Sequence, residues 1–212
     1  MVDRLTWTPP DAPARATRER VPGALGGSRL FELPALAELR AELEAFAGGA
    51  TALALDVGFD DGRVLLAEAR AAPEVAWLGV ELRARRVAEV RALAPPNCLP
   101  LRLDARTLLA SGRLDGQLGR IDVLFPTPAL NGRHLLWTPA FVADLARALA
   151  PGGVLTVATD VPALATLIGE LLAAWPDAVP PARGPVQSRR EVVCARDGIH
   201  VWWASRSAPE AA

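Results

Sequence analysis

The chain has 212 residues and is 51% hydrophobic, enough for one domain with a sizeable core. Its 23 basic residues, all arginine, against 24 acidic ones give a net charge of −1, which argues against a surface-wide polycation binding nucleic acid without specificity. No apolar run reaches membrane-spanning length, the N-terminus lacks a secretory leader's apolar stretch, and the two cysteines and two histidines show no metal-ligand spacing, so a reduced, cytoplasmic protein without a metal is expected.

Residues 1–30 are rich in Pro, Arg and Gly without periodicity and are expected to be flexible, ahead of a domain over 31–206 and a short tail over 207–212. Leu36, Leu39, Leu43 and Phe46 recur at helical spacing from Pro34 to Ala47, with Gly48-Gly49 as the stop. Next comes the stretch on which the chain is organised, TALALDVGFDDG from Thr51 to Gly62. Ala52 to Leu55 read as a buried strand, followed by Asp56, a turn through Gly58 and Gly62, and a helix from Arg63 to Ala72. A strand, a glycine turn and a helix N-terminus form a cradle for a nucleotide-type ligand, because glycine lets backbone approach closely and the helix start offers unpaired N–H groups. A second strand follows over Glu74 to Val80, and Glu81 at its end lies 19 residues past Gly62, the placement of an acid that accepts ribose hydroxyls.

Strand and helix then alternate. A helix is expected over Arg83 to Leu93, a strand over Cys98 to Leu103 and a short helix over Arg106 to Ser111. Ile121 to Phe125 form the fourth strand, Pro139 to Leu149 a helix, Val154 to Ala158 the fifth strand and Leu164 to Ala174 a helix. Glu191 to Ala195 and Ile199 to Ala204 read as a final antiparallel hairpin turned by Arg196-Asp197-Gly198. The pattern predicts an α/β fold with a mostly parallel central sheet, helices on both faces and that C-terminal hairpin. Ligands in such folds sit at the carboxyl ends of the strands, where Asp56, Glu81, Asp104, Thr127 and Asp160 would gather.

These features resemble the Rossmann-like class I S-adenosylmethionine-dependent methyltransferases, and within them the tRNA (guanine-N7)-methyltransferase family. LDVGFDDG is similar to that family's LEIGFGxG, LGVE at the second strand end to IGIE, and Asp104-Ala105 to the acidic-Ala pair that flanks adenine. FPTPALNGRH, Phe125 to His134, resembles FPDPWxKxRH; LAPGGVLTVATD, Leu149 to Asp160, resembles LKPGGxLxxATD; and SRRE, Ser188 to Glu191, resembles a TxxE segment. The resemblance implies S-adenosylmethionine as cofactor, held by Asp56, Gly58, Asp60, Gly62, Glu81, Asp104 and Ala105. It implies tRNA as substrate, with Arg133, His134, Asp160, Ser188 and Glu191 on the substrate side and Asp160 and Thr127 at the chemistry.

Several positions depart from the family pattern, among them Asn131 and Leu135-Leu136 in place of lysines. Asp60 replaces the middle glycine of the loop, where its charge would repel the cofactor's carboxylate or pair with its ammonium. Thr127 replaces an aspartate and Ala129 a tryptophan. Two other readings therefore stay open: a methyltransferase acting on another RNA or a small molecule, and a non-catalytic binding protein that keeps the fold.

Overall fold

The computed structural model describes residues 46, 51–127 and 135–209. Six strands form one sheet in the order β3-β2-β1-β4-β5-β6. The strands are β1 (Ala52–Val57), β2 (Val75–Glu81), β3 (Cys98–Arg102), β4 (Leu118–Leu124), β5 (Leu149–Thr159) and β6 (Trp202–Ser207). All neighbours pair in parallel except β5 and β6, which run antiparallel. The strand order reverses between β1 and β4, so the crevice for a ligand lies at the carboxyl ends of those two strands.

Among the described residues six helices connect the strands: α1 (Arg63–Ala71), α2 (Ala84–Arg91), α3 (Ala105–Ala110), α4 (Pro139–Ala148), α5 (Pro162–Leu171) and α6 (Arg189–Asp197). Successive strand residues point to opposite faces. Leu53, Leu55 and Val57 of β1 therefore join one apolar core with Leu108 and Leu109 of α3, Phe141 and Leu145 of α4 and Leu164 and Ile168 of α5. Ala54 faces the other way, packing with Trp77, Leu65 and Leu66 of α1 and Val87 and Val90 of α2. The parallel sheet covered by helices on both faces is the architecture expected from the strand–helix alternation. Phe46, the one described residue of the predicted N-terminal helix, is helical and packs on the first core.

The C-terminal end differs from the expectation. Residues 191–195 form no strand; they lie within α6, and Gly198 (φ 65°) closes that helix in the left-handed region instead of turning a hairpin. The reason is local. The Ser188 hydroxyl accepts from the Glu191 N–H at 3.1 Å, and the Glu191 carboxylate accepts from the Ser188 N–H at 2.6 Å, a reciprocal capping box. That box starts a helix in spite of the β-branched pair Val192-Val193. The antiparallel strand of the C-terminus is present as β6, and its partner is β5. Cys194 accordingly sits on a helix rather than a strand; it and Cys98 are both buried and free.

Candidate active site

After Val57 the chain turns through Gly58 (φ 77°), Phe59, Asp60 (φ 48°), Asp61 and Gly62 (φ 71°) into α1. The Gly58 N–H donates to the Val80 carbonyl and the Gly62 N–H to the Phe59 carbonyl, both at 2.8 Å. Buried Phe59 pins the loop to the second core. Aspartate enters the left-handed region more readily than most residues, so the turn keeps its shape at Asp60. A Cβ built on Gly58 meets no atom within 4 Å, so the backbone here faces open space and a ligand can approach it. Gly62 has another role: a Cβ there would lie 2.5 Å from a Val90 methyl, so this glycine lets α1 pack against α2.

Glu81 ends β2 and is buried. Its Oε1 accepts from the Arg83 N–H at 2.9 Å and from Arg83 Nε at 3.1 Å, and its Oε2 from Arg83 Nη2 at 2.9 Å. Burial pushes this carboxyl up, but the Arg83 hydrogen bonds outweigh it and hold the group below its ordinary range. Arg83 Nη2 also reaches Asp60 Oδ1 at 2.8 Å, and Arg86 Nε lies 3.5 Å from the same oxygen. The charge of Asp60 is thus met by two arginines. Asp104 caps α3 by accepting from the Arg106 N–H at 2.9 Å, and it pairs with the Arg106 guanidinium at 2.6 Å. Ala105 is buried beside it.

Asp56 does not reach the open edge; it is 4% exposed, in register with Asp122 on β4. Around it lies a charge network absent from the sequence reading. Arg120 Nη1 pairs with Glu68 of α1 at 2.9 Å, and Arg120 Nη2 with Asp122 at 2.7 Å. The Gly184 N–H donates to Glu68 at 2.8 Å, and the Arg120 guanidinium lies 4.9 Å from the centre of the Trp77 ring. The signal available in the sequence was Arg120 and Asp122 two apart in an apolar strand, which places both on one face.

Burial, and after it the Asp122 charge, push the Asp56 carboxyl up to about 8. The folded protein therefore binds this proton more tightly than the unfolded chain does. Stability is full below pH ~4 for this group and is lost as pH rises towards about 8. The slope approaches ~1.4 kcal/mol per pH unit, the limit for one proton. Urea denaturation of Asp56→Asn at pH 5 and pH 8 is expected to show a smaller loss across that interval than wild type. An unchanged loss would place the titrating proton elsewhere.

Of the residues that the resemblance assigns to the substrate side or the chemistry, Thr127 follows β4, Asp160 follows β5, and Ser188 and Glu191 stand at the start of α6. Phe125, just past β4, has φ 52°, a strained conformation for a bulky residue that the surroundings must hold. Its N–H donates to the Ala158 carbonyl at 2.8 Å, and its ring stands edge-on to Trp203 with centroids 6.3 Å apart. Thr127 follows and is exposed. Leu124 and Ala158 are in register, so Thr127 and Asp160 leave adjacent strands at the same edge. Val161 occupies the N-cap position of α5. Asp160 before it is gripped by Arg190 of α6, whose Nε lies 2.9 Å from Oδ2. Ser188 and Glu191 form the capping box of α6, and the Arg183 guanidinium forks Glu191 at 3.0 and 3.2 Å while lying 4.9 Å from the Trp203 ring centre. Arg133 and His134 lie outside the described residues. Among the described residues no cluster of three or more His, Cys, Asp or Glu suits a metal, and no helix is long and apolar enough to cross a membrane.

A family profile described as a putative methyltransferase matches residues 50–180. The tRNA (guanine-N(7)-)-methyltransferase of Azorhizobium caulinodans is 36% identical over 143 residues, 63% of this chain and 59% of that protein. The protein of the same name from Chloroflexus aurantiacus is 35% identical over 161 residues, 73% of this chain and 70% of that protein. Thus the chain spans 59% to 70% of the length of these two relatives. Among solved structures, an aminoglycoside resistance methyltransferase aligns with a TM-score of 0.59 at 20% identity, covering 80% of this chain and 93% of that one. A 16S rRNA (adenine(1408)-N(1))-methyltransferase from Catenulisporales acidiphilia aligns with a TM-score of 0.56 at 20% identity, covering 82% and 94%. At that identity these two likenesses speak for the fold alone. The family is carried by the sequence relatives and by the profile across the glycine loop and all but one of the strands: the chain belongs to the tRNA (guanine-N7)-methyltransferase family.

Proposed function

We propose that the protein transfers a methyl group from S-adenosylmethionine to N7 of a guanine in tRNA. The observation that carries this reading is the cradle at the reversal of strand order. Gly58 faces open space there, with Glu81 and Asp104 at the ends of the next two strands. Those residues fit the cofactor: an open glycine backbone for its amino-acid end, Glu81 for ribose hydroxyls, and Asp104 with Ala105 for the adenine edge. Bound S-adenosylmethionine would supply a methyl group made electrophilic by its sulfonium. Guanine N7 carries an available lone pair, so no proton must be removed before attack and no general base is required. The protein's task is alignment and the exclusion of water. Asp160 would hold the guanine and offset the positive charge that develops on it.

Thr127 in place of an aspartate favours a second reading, a methyltransferase acting on another RNA or on a small molecule. Two measurements test the pair of readings. Calorimetry with S-adenosylhomocysteine is expected to give saturable binding that weakens at least tenfold in Glu81→Ala, the loss of a hydrogen bond to a charged group. No heat at millimolar ligand would sink the cofactor assignment. Tritium transfer from S-adenosylmethionine to bulk unmodified tRNA then separates the substrates, since cofactor binding without transfer leaves the second reading standing.

A further inference from the structure

We infer that Arg83 is a positioning residue for the cofactor: its guanidinium fixes the Glu81 carboxylate at the end of β2, and Asp60 of the glycine loop holds that guanidinium in place. This rests on the cofactor reading of Glu81 given above.

The three residues form one linked unit. Arg83 occupies the N-cap position of α2 (φ −79°, ψ 105°) and offers no side-chain cap to that helix. Its side chain turns back along β2, and backbone N–H, Nε and Nη2 together make three hydrogen bonds to Glu81. A guanidinium is a planar fork and matches a carboxylate at two points at once, which sets orientation as well as charge. Glu81 is 8% exposed while Arg83 is 57% exposed, so the arginine closes the outer side of a carboxylate that is otherwise inside the protein. Nη2 is shared with Asp60, which stands at φ 48° in the loop.

Asp60 therefore does not stand free to meet either charge of a bound amino acid. It ties the loop after β1 to the end of β2. A glycine at this position has no side chain with which to make that tie. The other charged groups around the unit are Arg86 and Glu89 of α2, which pair with each other at 3.2 Å, Asp61 with its partner Arg63 in the loop and at the start of α1, and Arg102 of β3, whose Nε donates to the Leu82 carbonyl at 3.3 Å. None of these has a hydrogen bond to Glu81.

The consequence is specific. Without the Arg83 guanidinium, Glu81 keeps its burial and its backbone hydrogen bond from residue 83 but loses the side-chain hydrogen bonds and the positive charge that oppose burial, so its carboxyl titrates at higher pH. Arg83→Gln is expected to weaken S-adenosylhomocysteine about tenfold at pH 7, the worth of a hydrogen bond to a charged group. It is also expected to make affinity fall with acidity at a higher pH than in wild type. Arg83→Lys keeps the charge without the fork and is expected to restore only part of the loss. Asp60→Gly, acting only through Arg83, is expected to cost a few-fold by itself and nothing more when added to Arg83→Gln.

The decisive experiment combines that calorimetry with carbon-13 NMR titration of glutamate carboxyls in the cofactor-free protein. In Arg83→Gln the Glu81 carboxyl must titrate at higher pH than in wild type, whether or not any cofactor binds. An unshifted Glu81 titration overturns the inference, as does a full additional loss from Arg83→Gln in a Glu81→Ala background. Absence of binding in wild type together with a shifted Glu81 would remove the cofactor reading and reduce Arg83 to a structural clamp. Asp60→Gly, a change at a half-buried loop residue, supplies the same test through its partner if Arg83→Gln fails to fold.

Discussion

Asp160→Ala is expected to abolish methyl transfer to tRNA, and Thr127→Asp to raise it roughly tenfold to a hundredfold above wild type. Both residues leave adjacent parallel strands at the same edge, because Leu124 and Ala158 are in register. The family pattern that the chain resembles implies a carboxylate at each position, and here only Asp160 has one. A hydrogen bond to a charged group is worth about 1.5–3 kcal/mol, and one realised in the transition state enters the rate directly. Wild-type activity on tRNA is accordingly expected to be weak. Transfer should be measured on unmodified tRNA with the three proteins side by side, at low salt so that phosphate contacts survive screening. Activity that Asp160→Ala leaves untouched would remove this residue from the site. A folded, cofactor-binding Thr127→Asp with no gain would shift the substrate to the second reading.

The second large effect is on stability. Arg120→Leu is expected to destabilise the protein by about 3–5 kcal/mol, because it leaves Glu68 and Asp122 buried without their cation. The pair itself need not add net stability, since taking three charges out of water is costly; what hurts is removing one partner. Urea denaturation gives the number, and Arg120→Leu combined with Asp122→Asn should recover part of it. A loss under 1 kcal/mol would show that water or protonation relieves the acids. The network also reaches the start of α6. Glu68 accepts from the Gly184 N–H, and the neighbouring Arg183 grips Glu191 at the start of α6. Faster amide hydrogen exchange over 184–191 is therefore expected in Arg120→Leu.

The architecture is legible in the sequence, as is the strand-end edge on which the proposed site lies. Strand periodicity, the glycine turn through Gly58 and Gly62, and the acids Asp56, Glu81, Asp104 and Asp160 at or near the ends of β1, β2, β3 and β5 are local properties. They are readable because side-chain direction and backbone freedom depend on near neighbours. The pattern misleads at Glu191 to Ala195, where the β-branched pair Val192-Val193 outweighs the S-x-x-E signature that in fact starts α6. The tertiary structure alone decided the partners of the charged groups. Arg190 meets Asp160, 30 residues away in the chain, and Arg206 meets Asp177, 29 residues away. Asp60 and Arg83 are 23 residues apart, Glu68 and Arg120 are 52 apart, and Glu68 and Gly184 are 116 apart. The burial of Asp56 belongs to the same class. It depends on strand register against Asp122 and on α1 lying over it, and charge–charge energies follow distance and burial in space, not separation along the chain.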